Sequence, residues 1–113
     1  MPINHILYNF DTVKDCVVIV EGVTDVWRMG DGFVCSFRKA MTPEQIQFLM
    51  KKRIKRAFVM YDADAKDQSY ALANQLSGLI EIVEVLELDG GDPADMALED
   101  VMNLRAEVFG GRG

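Results

Sequence analysis

The chain has 113 residues, half of them apolar, and a formal net charge of −6. Its length suits a single compact domain over residues 1–113 that buries roughly two thirds of its unfolded surface, and no apolar stretch approaches the ~20 residues a membrane span requires. MPINHILYNFD lacks the basic start and small-residue cleavage site of a signal peptide, so a soluble cytoplasmic protein that does not meet a membrane is expected; the acidic balance on its face argues against a phosphate-rich partner, but five of the twelve basic residues cluster in KKRIKR, so the net charge decides little.

In chain order, the first strong signal is DCVVIVEG, a continuous β-branched run between turn residues, which fits a strand buried on both faces. A short helix from Val23 to Met29 follows, and GDG turns the chain into the strand FVCSF. Cys16 and Cys35 lie in these apolar runs and read as reduced core thiols, with a disulfide open only if the two strands are neighbours. Thr42-Pro43-Glu44-Gln45 then supplies an N-cap, a proline at the first helical position and a capping-box glutamine. Ile46, Leu49 and Met50 share one face of that helix, which is expected to stop within KKRIKR, before the strand AFVMYD. Those five cations read first as a solvated helix end, because they precede a strand entrance.

A second long helix is expected from Ala65 to Leu76, closed by Gly78. LIEIVEVLEL alternates partially, as a strand near a sheet edge would. Asp92-Pro93 opens a last helix with an expected break near Glu99-Asp100. Strand and helix alternate four times, the pattern of a parallel sheet with helices on both faces. Right-handed crossovers then bring all strand C-termini to one edge, where the functional groups of open α/β sheets collect.

Acids fall at that edge. Glu21 ends the first strand, Asp62 and Asp64 end the third, and Asp92 follows the fourth. Crowded bare carboxylates repel one another by several kcal/mol in total. A divalent cation reverses that sign, and all-oxygen ligation favours Mg²⁺ or Mn²⁺ over zinc. Against this stands the ordinary use of aspartate in turns and caps, which Asp92 before Pro93 fits equally well. Tyr61 reads as core, Trp27 and Tyr8 as packing residues, and His5 as uninvolved.

EGVTD after the first strand, DAD after the third and GGDPAD after the fourth resemble the signature of the Toprim domain, found in primases, topoisomerases, nucleases and recombination mediators. LYNFDTVKD, EGVTDVWRMGDG and MTPEQIQFL are most similar to the primase branch, and within it to primase-like proteins of phages and mobile elements. The resemblance implies a Toprim (Rossmann-like) fold with a mainly parallel four-stranded sheet, and a Mg²⁺-dependent (or Mn²⁺-dependent) nucleotidyl-transfer activity serving DNA replication in a bacterial or phage setting. It implies Glu21 as general acid or base and Asp62, Asp64 and Asp92 around the metal. Asp25 matches the second acid of EGxxD, and Asp95 is an acid shifted by one from the family's DPD pattern. Implied partners are a DNA template, an RNA primer, nucleotides, and a helicase or other replication proteins.

The chain departs from that pattern at three places. Arg38-Lys39 stands where the family commonly has glycine-threonine, Lys66-Asp67 where it has alanine-glycine, and Ala94 where it has an acid. Arg38, Lys39 and Lys66 fall on the acidic edge and are candidates for phosphate or nucleic-acid contact. Resembling primases carry a basic RNA-polymerase subdomain and a zinc ribbon ahead of this region, so the chain is expected to be either a piece of a longer protein or a free-standing small Toprim protein. Two other functions fit the same residues: a non-catalytic module that binds DNA or a replication or recombination partner, and a Toprim-type nuclease. A phospho-acceptor receiver domain fits less well, because its first strand would end in paired acids.

Overall fold

The computed structural model describes residues 9–36, 41–88 and 93–109. Four strands, β1 (Cys16–Val20), β2 (Phe33–Cys35), β3 (Arg56–Val59) and β4 (Ile82–Val85), form one sheet in the order β2-β1-β3-β4. Every pairing is parallel, with Val20 beside Cys35, Ile19 beside Val59, and Val59 beside Val85. Helices α1 (Val23–Met29), α2 (Pro43–Lys51), α3 (Lys66–Ser77) and α4 (Leu98–Val108) complete the α/β alternation.

Strand alternation divides the core into two layers. Val17, Ile19, Val34, Ala57, Val59 and Tyr61 pack with Ile46 and Leu49 of α2 and Leu72 and Leu76 of α3. Val18, Val20, Phe33, Cys35, Phe58 and Met60 face the other way, onto Val26 and Met29 of α1 and Val101 and Val108 of α4. Burial on both faces explains why β1 reads as an unbroken apolar run, since neither set of alternate residues meets water. β4 alternates between exposed and half-buried positions, as expected of an edge strand, but its paired part covers only Ile82–Val85 of the longer apolar segment.

Local signals set the boundaries. The Thr42 hydroxyl accepts from Gln45 N, and Gln45 Oε1 accepts from Thr42 N at 2.9 Å, which closes the capping box at the start of α2. That helix ends inside the basic run: Lys52 caps it, and Arg53 takes a left-handed φ of 56°. Lys52 Nζ donates to Val13 O at 3.1 Å, so part of the basic run ties α2 to the entrance of β1. Gly78 caps α3 in a right-handed conformation. Gly32 is required where it stands, because its φ is +90° and a Cβ there would lie 2.6 Å from the Phe109 ring.

Two expectations need correction. The segment after Asp92 is not one helix broken near Glu99: a 3-10 turn, Pro93–Asp95, is separated from α4 by extended backbone at Ala97, so the break falls earlier. Trp27 is not a packing residue, since it is 68 % exposed on the outer side of α1. Cys16 and Cys35 are reduced and buried on neighbouring strands, as expected. Their register separates them by four residues, roughly 13 Å along the strand, beyond disulfide reach. No helix among the described residues is long and apolar enough to cross a membrane.

Candidate functional site

The strand order creates a switch point. From β1 the chain passes through α1 to β2 on one side, and from β2 through α2 to β3 on the other. The loops after β1 and β3 therefore diverge to opposite faces of the sheet, which opens a crevice at their C-terminal ends, the usual ligand position in open α/β folds. Glu21 begins one of these loops and Asp62 lies in the other.

Continuing the register past the paired residues sets Ser36, Glu21 and Tyr61 in a row across β2, β1 and β3, on the face covered by α2 and α3. Ser36 Oγ and Tyr61 Oη are 3.2 Å apart, and Gln45 Nε2 donates to Ser36 O at 3.3 Å. All three of these residues are buried. Burial pushes the Tyr61 hydroxyl up to about 12; the Ser36 hydrogen bond opposes this, and the nearby charges of Glu21 and Cys35 add to it. Glu21 is thus within electrostatic reach of Tyr61, the residue that precedes Asp62. One oxygen of Glu21 and one of Asp62 are closed off from solvent.

Asp25 has a different use from that of an open site acid. It is 3 % exposed. Its Oδ2 accepts from Gly22 N at 3.2 Å and its Oδ1 from Ala94 N at 3.1 Å. One carboxylate therefore stitches the loop carrying Glu21 to the 3-10 turn after β4, and its charge is matched by backbone donors.

Asp62 and Asp64 separate in exposure. Asp62 is half-buried and precedes the 3-10 turn Ala63–Ala65, whereas Asp64, inside that turn, is exposed. Lys66 starts α3, and its Nζ lies 3.3 Å from Glu87 Oε1. The Tyr70 hydroxyl donates to the same carboxylate, and this bond first, then Lys66, pulls the Glu87 carboxyl below its ordinary range. Lys66 is therefore engaged across the mouth of a shallow hollow of about 10 Å³ lined by Asp62 and Glu87. Asp95 is exposed on its 3-10 turn. Asp92, Arg38 and Lys39 lie outside the described residues. Among the described residues no group of three or more acidic, histidine or cysteine side chains is close enough to enclose a metal ion.

The chain matches no family model, no curated protein and no solved structure. The functional reading thus rests on residues and geometry. Three contributors at this edge escape a sequence reading: Ser36 and Glu87, each just past a strand, and Gln45, whose capping role hides its second bond to Ser36 O. For Ser36 and Glu87 the available signal is a polar residue directly after an apolar run.

A larger cavity, about 270 Å³, opens at the opposite edge, between the start of β1, Gly32 and the last turn of α4. Arg105 crosses it, with Nη1 donating to Met29 O and Asp31 O. The guanidinium lies 5.1 Å from the Phe109 ring centre, and the cavity, itself lined by Asp15 and Asp31, is separated from Glu21 and Asp62 by the length of the sheet.

Proposed function

We propose that the chain is a Mg²⁺-dependent nucleotidyl-transfer module of the Toprim, primase-like type, acting at the acidic edge. The observation that carries this reading is the placement of Glu21 and Asp62 on the two diverging loops of the switch point. Carboxylate oxygens are the donors Mg²⁺ and Mn²⁺ prefer. Mg²⁺ usually keeps waters and substrate phosphates in its shell beside its protein carboxylates.

In this reading Asp62 and Asp64 would hold the ion, joined by Asp92. When bound, the ion neutralises phosphate charge as it shifts during transfer. Glu21, half-buried beside two buried hydroxyl groups, takes a proton from an attacking hydroxyl or returns one to a leaving oxygen. Asp25 acts on the loop: by holding Gly22 N and Ala94 N together it fixes where Glu21 begins. Lys66, paired with Glu87, is positioned to exchange that partner for a substrate phosphate.

The test is extension of a primer on a labelled template strand with nucleoside triphosphates and Mn²⁺. Turnover that falls at least a hundredfold in Glu21→Gln and in Asp62→Asn supports the reading, in line with the size of a general acid–base contribution. Metal-dependent shortening of the strand instead would identify a nuclease. Strand binding without turnover, unchanged by Glu21→Gln, would identify a non-catalytic module.

A further inference from the structure

The basic run plays no part in the acidic edge, and the fold gives it company. Lys55 N and Arg56 N donate to Asp15 O at 2.8 and 3.2 Å, and Lys52 Nζ reaches Val13 O. Lys14, between those two acceptors, is thereby brought beside residues 51–56 although it is far away in sequence. Lys14, Lys51, Arg53 and Lys55 are all exposed. Among the described residues none of the four is in an ion pair. Asp11, Asp15, Asp31 and Glu81 share this edge but are outnumbered by the six cations at positions 14, 51, 52, 53, 55 and 56. The C-terminus of α2, with its partial negative charge, also points here and favours holding cations in place.

Aromatic faces lie under the cations. Phe10 and Phe48 are half-buried, with ring centres 5.8 Å apart. Lys52 Nζ stands 5.1 Å from the Phe10 ring centre and Lys51 Nζ 5.7 Å from that of Phe48. Exposed lysines are depleted from protein–protein interface cores. Cations that track a backbone over aromatic faces are instead the pattern of sequence-tolerant single-strand binding.

We propose that the edge formed by Lys14, Lys51, Arg53 and Lys55 with Phe10 and Phe48 is a second, metal-independent surface that holds a single-stranded nucleic acid by its phosphates, opposite the acidic edge. The net charge of −6 does not oppose this. The acids named above at the switch point lie at the far end of the sheet, so a polyanion approaching from the basic side meets local positive potential. Because this surface needs neither Glu21 nor a cation, it stands or falls separately from the proposed chemistry.

The experiment is fluorescence anisotropy of a labelled polythymidine strand with the whole chain in EDTA, over a salt series, with melting curves to show that each variant folds. Expected is salt-sensitive binding that weakens about tenfold in K51Q/R53Q/K55Q, with the slope of log affinity against log salt reduced by about 2. Arg28→Gln, exposed on α1 against the face of the sheet opposite α2, is expected to bind as the parent does. If the triple variant melts, K14Q/K51Q replaces it, with a proportionally smaller loss. Three results overturn the proposal: no binding by the parent at low salt, loss in Arg28→Gln as large as in the basic-edge variants, or competition by polyglutamate as effective as by unlabelled strand, which would assign the surface to an acidic protein.

Discussion

Tyr61→Phe removes one oxygen from the row of polar groups beneath the acidic edge. Near neutral pH the change deletes the contact with Ser36 Oγ, at a cost of about 1 kcal/mol for a buried hydrogen bond. At alkaline pH the sign reverses. The native hydroxyl is pushed up to about 12, whereas in the unfolded chain it ionises near 10. Its raised native value means that its stability contribution is complete below pH 10 and is lost between pH 10 and 12. Over that window ionisation favours the unfolded state by about 1.4 kcal/mol per pH unit, or about 2.7 kcal/mol by pH 12. The Phe variant does not suffer this loss. Other tyrosines and lysines cancel in the difference, so the variant should start about 1 kcal/mol less stable than the parent, equal it near pH 11 and exceed it above. Urea unfolding followed by far-ultraviolet circular dichroism from pH 8 to 11.5 measures this. A difference that stays constant over the series would refute the account of a buried, neutral Tyr61 beside Glu21.

Other consequences follow from single residues. Asp25→Asn turns an amide donor toward Gly22 N or Ala94 N and should cost about 2 kcal/mol; thermal unfolding should show a drop of about 8 °C. Gly32→Ala faces both φ +90° and the Phe109 ring and should destabilise by at least about 1–2 kcal/mol in chemical unfolding. Trp27→Ala, at an exposed position, should change stability by no more than about 0.5 kcal/mol, and urea unfolding of the two chains at one temperature checks it.

Much of the fold was legible because its signals are local. The run of β1, the cap at Thr42, the extent Val23–Met29 of α1 and the end of α2 in the basic run each depend on a few adjacent residues. What escaped depends on partners distant in sequence. Trp27 looks like core by composition, yet Val26 and Met29 take the inward face of α1 and leave it outside. Asp25 looks like a second site acid by motif, and its burial follows from Ala94, 69 positions later. The break before α4 is set by extended backbone at Ala97 rather than by the acids at 99 and 100. For the site, the edge was legible from the parallel pattern, because each acid follows an apolar run. The row of Ser36, Glu21 and Tyr61 required the strand register, and the differing exposure of Asp62 and Asp64 required the 3-10 turn between them.

The central claim is that Glu21, on the loop after β1, faces a divalent cation held on the loop after β3, and Mn²⁺ titration of the isotope-labelled chain, read as paramagnetic broadening of amide signals, tests it most directly. Substoichiometric Mn²⁺ should erase the signals of residues 21–23 and 61–64 together, leave 51–56 sharp, and lose this selectivity in Asp62→Asn. Broadening confined to one loop, or spread over exposed acids without preference, would contradict it.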